Sequence, residues 1–178
     1  MNKTQTTTLA NGCFWCTEAI FQQLKGVEKI TPGYSGGNLP NPTSEQVYSG
    51  ETNHAESIQI TYNPEIISYE DLLDVFWHTH NPTTLNRQGA DVGTMYRSVV
   101  FYHDEEQKRI ANEVLRKVTD ENIYDKPIVT KITKFTNFYP AANYHKNYYK
   151  NNPTAPYCTF VIEPKLKNFW GKYKHLAK

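Results

Sequence analysis

The stretch Asn11-Gly12-Cys13-Phe14-Trp15-Cys16-Thr17-Glu18-Ala19-Ile20 constrains this chain more than any other. Before it, Thr6 to Ala10 is rich in β-branched residues and predicts a strand. After it, Thr17 to Leu24 lacks Gly and Pro and carries Ile20, Phe21 and Leu24 at helical spacing. Cys13 is thus expected where a strand ends, a glycine turns the chain and a helix begins. Unpaired N–H groups and the macrodipole give a helix start a positive potential. That potential favours the thiolate, the nucleophilic form of cysteine. Phe14 and Trp15 would stand beside the sulfur as an apolar wall, with Cys16 within disulfide reach if both side chains share a face.

Each piece has a plainer reading. A buried cysteine is commonly inert packing, and adjacent aromatics are commonly core. A Cys-x-x-Cys pair also suits half a zinc site or a thioredoxin-like redox pair. The joint pattern at a strand-to-helix junction favours a reactive thiol.

A chain of 178 residues fits a single domain, 1–178, with a core able to stand alone. A formal charge of +1 gives no push toward nucleic acid or an anionic membrane. No apolar run approaches the ~20 residues of a membrane span. Met1 to Thr8 has one lysine and no apolar stretch, so no secretory signal is expected. Three cysteines do not make a disulfide framework, and a cytoplasmic protein with redox thiols is the economical reading.

The remaining elements follow from pattern. Val27 to Tyr34 predicts a strand interrupted by Pro32, which suits an edge or an early end. Ser35 to Glu51 predicts a long functional loop. Ser57 to Tyr62 alternates as a half-buried strand, and Ser68 with Asp71 caps a helix whose face is Leu72, Leu73, Phe76 and Trp77. A second loop, Asn81 to Thr94, leads into a strand over Tyr96 to Tyr102. Asp104 and Gln107 open the clearest helix, with Ile110, Val114, Leu115 and Val118 as its stripe. Ile128 to Phe135 predicts a strand and Ala141 to Tyr149 a short helix; the prolines in Pro153 to Lys178 argue against one long helix there. The order implies an α+β fold with a mixed sheet.

Gly12-Cys13-Phe14-Trp15-Cys16-Thr17-Glu18 resembles the signature of the A-type peptide methionine sulfoxide reductases. The resemblance continues through Gly33-Tyr34-Ser35-Gly36-Gly37, Asn41-Pro42-Thr43, Ser49-Gly50, His54-Ala55-Glu56, Gln88 to Ser98 and Tyr144-His145, in the family's order, and covers roughly residues 7–165. It implies a two-layer α/β sandwich with a mixed β-sheet, a ferredoxin-like core and an extended C-terminal tail. It further implies reduction of methionine S-sulfoxide, free or in proteins, with thioredoxin or a similar dithiol as reductant.

Sulfoxide reduction needs a soft nucleophile for sulfur and an acid for the departing oxygen. The resemblance assigns these to Cys13 and Glu56, whose carboxyl must be held protonated by desolvation. Phe14 and Trp15 suit the wall that holds the methyl group, and Asp91 and Tyr96 match substrate-binding positions. Cys16 is expected to resolve the Cys13 sulfenic acid first, with Cys158 as the second candidate. The sequence departs from the family at Ser44, where a second tyrosine is frequent; Tyr48 is the nearest substitute. Asn53 stands where glycine is usual, and Ala142 and Asn143 replace acidic residues. His78 and His80 suit a polar helix end rather than a metal site, and no metal and no organic cofactor are expected. No nucleic-acid or membrane partner is expected either, and a monomer is. The alternatives are a thioredoxin-like disulfide oxidoreductase, which Phe-Trp between the cysteines fits poorly, and a zinc module, which lacks a second ligand pair.

Overall fold

The structure is a computed structural model and describes residues 3–178. In chain order its elements are β1 (Gln5–Asn11), α1 (Phe14–Phe21), β2 (Val27–Ser35), α2 (Ser44–Tyr48), β3 (Ala55–Tyr62), α3 (Tyr69–His78), β4 (Arg87–Gln88), β5 (Asp91–Val92), β6 (Ser98–Tyr102), α4 (Glu105–Asp120), β7 (Lys131–Lys134), β8 (Tyr139–Pro140), α5 (Tyr148–Asn151) and α6 (Glu163–Tyr173). Six strands form one sheet in the order β7-β6-β1-β3-β2-β8. Its four central strands, β6, β1, β3 and β2, are antiparallel to one another, whereas β7 runs parallel to β6, so the sheet is mixed. The central strands and their crossover helices α1 and α3 follow a β-α-β-β-α-β order.

Alternation along the strands sorts residues between two faces. Leu9, paired with Ile58 and Val100, belongs with Ile60 to the main core. Phe14, Ile20 and Phe21 from α1 and Leu72, Leu73, Phe76 and Trp77 from α3 close over it. On the opposite face Ala10, Ala55, Val99 and Phe101 make a smaller cluster with Phe135. The caps expected at Ser68 and Asp104 form: Ser68 Oγ accepts from Asp71 N–H and Asp104 Oδ1 from Gln107 N–H.

Three segments depart from the sequence reading. The Ser35 to Glu51 region contains α2, started by a capping box between Thr43 and Gln46. Pro32 neither ends β2 nor lies at its edge. Its carbonyl accepts Ala141 N–H, so its ring nitrogen also faces the β8 side, where the partner strand is two residues long and no ladder bond is lost. The tail is more helical than its prolines suggest. A π-helical turn at Cys158–Ile162 runs directly into α6. The widened turn relieves the clash that Pro164 would have with the carbonyl four residues back. Backbone bonds from Lys25 N–H to Leu176 and from Lys178 N–H to Gln23 then clip the chain end to the residues after α1. Among the described residues no helix is long and apolar enough to cross a membrane.

Candidate active site

Cys13 is the N-cap of α1, half-buried, at the end of β1. Gly12 makes this junction possible. Its φ is +112°, and a Cβ there would lie 2.8 Å from Gln88 Cγ. Cys16 occupies the first turn of α1, its N–H bonded to the Cys13 carbonyl at 3.1 Å. The two thiols are free and electrostatically coupled. The neighbouring Cys13 thiol, helped by Lys165, brings Cys16 down to about 7 despite burial. Burial pushes Cys13 well above the usual thiol range. The two sulfurs therefore titrate as a pair, and burial works against the helix-start potential at Cys13.

β3 begins beside this junction and carries Glu56, which is 2% exposed. Its Oε1 accepts the Phe14 N–H at 3.1 Å, one residue from Cys13. Burial raises the carboxyl to about 8 against the opposing pull of that bond, so it holds a proton at neutral pH. Asn53 precedes it in left-handed conformation at φ +60°, which asparagine tolerates in place of glycine.

Three phenols lie within electrostatic reach of Glu56. Burial raises Tyr34 to about 12, and raises Tyr48 and Tyr96 further. Tyr48, at the end of α2, is 45% exposed, and the same helix carries Ser44 where a tyrosine is frequent. Ser44 joins a buried relay instead. Trp15 Nε1–H donates to His145 Nδ1 at 3.0 Å, which leaves His145 Nε2–H to donate to Ser44 Oγ at 3.0 Å. Ser44 Oγ in turn contacts Tyr34 Oη at 3.0 Å. Burial lowers His145 and keeps the ring neutral, as this relay requires.

Phe14 and Trp15, the expected apolar wall, pack among aromatic rings. Phe14 packs on Tyr34 and His145, and Trp15 lies between Tyr148 and Tyr157. Tyr157 is the residue sequence reasoning missed. Its hydroxyl donates to Asp91 Oδ2 at 2.8 Å and stands 3.5 Å from Cys16 Sγ. The position before Cys158 was its only sequence signal. His145, Tyr148 and Tyr34 were equally unmarked as partners of Trp15 and Ser44, because their meeting is set by tertiary packing. Asp91, on the β4–β5 hairpin, and Tyr96, in a 3₁₀ turn, reach the site from one loop. Cys158 is fully buried in the π turn, an electrostatic neighbour of Cys16.

Asp74, His78 and Glu121 gather ligand atoms within 4.8 Å of one another, away from this site. Both imidazole nitrogens are already engaged, Nδ1 with the Asp74 carbonyl and Nε2 with Glu121 Oε2. The cluster braces the end of α3 against the end of α4. His80 is held by Phe76 and Ser98, and burial lowers it to about 3.

A cysteine pair on a helix start, facing a buried protonated carboxyl and an aromatic wall, has the make-up of a thiol-based oxidoreductase. The sequence profile described as peptide methionine sulfoxide reductase matches residues 5–177. The chain is 49% identical over 174 residues to peptide methionine sulfoxide reductase MsrA of Acinetobacter baumannii (strain SDF), covering 98% of each chain. It resembles Mxr1 from Saccharomyces cerevisiae in reduced form, with a TM-score of 0.75 and 35% identity over 88% of this chain and 90% of that one. Mxr1 in complex with Trx2 matches with a TM-score of 0.53 and 27% identity, over 82% and 85% of the two chains. This chain belongs to the peptide methionine sulfoxide reductase family.

Proposed function

We propose that the protein reduces methionine S-sulfoxide, free or in proteins, to methionine through a thiolate, sulfenic acid and disulfide cycle. The observation that carries this is the Phe14 amide bond to Glu56, which holds a protonated carboxyl beside Cys13. Cys13 gives its proton to the neighbouring ionised Cys16 and attacks the sulfoxide sulfur as a thiolate. Glu56 protonates the oxygen, an acid contribution of about 10²–10⁴ in rate. Oxygen passes to Cys13 as a sulfenic acid, and methionine leaves. Phe14 and Trp15 seat the methyl group; Asp91 and Tyr96 bind and polarise the substrate. Cys16 then displaces water from the sulfenic acid to form a disulfide. Cys158, sealed in its helical turn, takes over that bond only if the turn opens.

The disulfide is reduced by thioredoxin, a role the Mxr1 complex with Trx2 supports. We place this single-domain, monomeric repair enzyme in the cytoplasm under oxidative stress, where redox thiols remain reducible.

The test is turnover of the separated sulfoxide epimers with a dithiol reductant. Activity on the S epimer alone is expected, with none in Cys13→Ser. Cys16→Ser should yield one methionine per enzyme and then recycle slowly. Blocked recycling in Cys158→Ser alone would reverse the order of the two resolving thiols, and a Cys13→Ser enzyme that still turns over would end the proposal.

A further inference from the structure

Glu18 is 1% exposed and takes no part in the reaction above. Its Oε2 has no hydrogen-bond partner, while its Oε1 accepts the Asn147 N–H at 2.8 Å. The next residue, Tyr148, stacks on Trp15 one turn back along α1. Asn147 is left-handed, at φ 55° and ψ 34°, between the turn at Asn143–His145 and α5. Asparagine tolerates that region, so the hydrogen bond from its N–H fixes where the turn sits against α1 rather than relieving strain.

The grip comes from one side of α1. Trp15, Glu18 and Gln22 stand at i, i+3 and i+7 and share a helix face. All three hold the stretch His145 to Tyr148. Trp15 bonds His145 and stacks on Tyr148 with ring centroids 3.6 Å apart and planes 4° apart. Gln22 Nε2–H donates to Asn147 Oδ1 at 2.5 Å. Burial raises the Glu18 carboxyl to about 7, the mark of an unfavourable placement that an apolar residue would avoid.

We infer that Glu18 is a positioning residue for the methionine pocket: its carboxyl fixes the Asn147–Tyr148 backbone so that Tyr148 lies flat on Trp15 and orients the indole. This rests on the reading of Trp15 as a wall of the substrate site.

The experiment compares KM and kcat for a methionine sulfoxide peptide in the wild type, Glu18→Gln, Glu18→Leu, Tyr148→Leu and the Leu double variant. Glu18→Leu should raise KM about tenfold, the scale of one lost hydrogen bond to a carboxyl, with kcat nearly unchanged. Glu18→Gln should restore the wild-type KM, because its amide oxygen can accept the Asn147 N–H in the same way. Tyr148→Leu should match Glu18→Leu, and the double variant should be no worse than either. Additive losses, a Gln variant as impaired as Leu, or a loss confined to kcat would overturn the inference. Hydrogen exchange of the wild-type Asn147 amide decides it without a variant. Protection supports the hold, and open-loop exchange rates refute it. An inert wild-type enzyme would defeat the proposed reaction, while the exchange result would still decide what Glu18 holds.

Discussion

The amide of Phe14 and the carboxyl of Glu56 join the two halves of the site, with N–H to Oε1 at 3.1 Å. One comes from the first turn of α1 and the other from the start of β3, 42 residues apart. The bond fixes the carboxyl beside the nucleophile. It also consumes part of the acid's acceptor capacity, and burial still outweighs it.

The pH profile of the chemical step follows from two groups. Activity should rise as the cysteine pair ionises near 7 and fall as Glu56 loses its proton near 8. Glu56→Gln should remove the falling limb and lower the rate about 10²-fold or more at neutral pH, with a smaller loss in acid, where another donor can serve. Single-turnover rates across pH check this. Equal loss at all pH values would remove Glu56 from the acid role.

The same carboxyl makes stability depend on pH. An unfolded glutamate titrates near 4.3, while folded Glu56 titrates near 8. Between those values the native state holds a proton that the unfolded state has lost, so stability falls as pH rises and levels off above 8. Glu18, raised to about 7, adds a fall of the same sign. Glu56→Gln should therefore gain stability over the wild type progressively from acid to alkaline pH, by at most roughly 5 kcal/mol. Denaturant midpoints at acidic, neutral and alkaline pH measure it, and a constant difference would contradict the assignment.

Much of the sheet and most of the proposed reacting groups were legible in the sequence, for physical reasons. Strand alternation at Ser57 to Tyr62, the caps at Ser68 and Asp104, and the Gly12–Cys13 junction are local patterns that packing reinforces. Residues joined over long separations were not legible. Tyr157 meets Cys16 across 141 positions and Trp15 meets His145 across 130, and no local pattern encodes either. The coupling of the thiols was not legible either, because the helix-start argument weighs one thiol alone, whereas the folded pair titrates together. The tail's prolines argue against one long helix, and the π turn that leads through Pro164 into α6 is invisible to periodicity.

Tyr157 offers a separate handle on the thiols. Its one O–H hydrogen points to Asp91 at rest and can turn to Cys16 Sγ, 3.5 Å away, when that sulfur ionises. Tyr157→Phe keeps the ring on Trp15 and removes the hydroxyl, so the first thiol ionisation should move up from about 7, by up to about one unit. Ultraviolet thiolate absorbance against pH reads the shift. An unchanged titration would mean that the hydroxyl stays with Asp91 and the Cys13 thiol and Lys165 lower Cys16 without it.

Ser44 tests whether the relay, rather than a phenol at that position, supports Tyr34. Its Oγ is the shared partner of His145 Nε2 and Tyr34 Oη, and Tyr144 Oη also reaches it at 3.4 Å. Ser44→Ala removes the hydroxyl and leaves a buried imidazole N–H and a buried phenol unpaired, at a cost of about 1–3 kcal/mol. Ser44→Cys keeps a weak partner and should lose less. Because Tyr34 borders Glu56, Ser44→Ala should also lower the single-turnover rate beyond what its stability loss explains at a temperature where the variant is fully folded. Thermal midpoints and single-turnover rates on the same preparations separate the two effects. A stability loss with an unchanged rate would confine the relay to holding the fold.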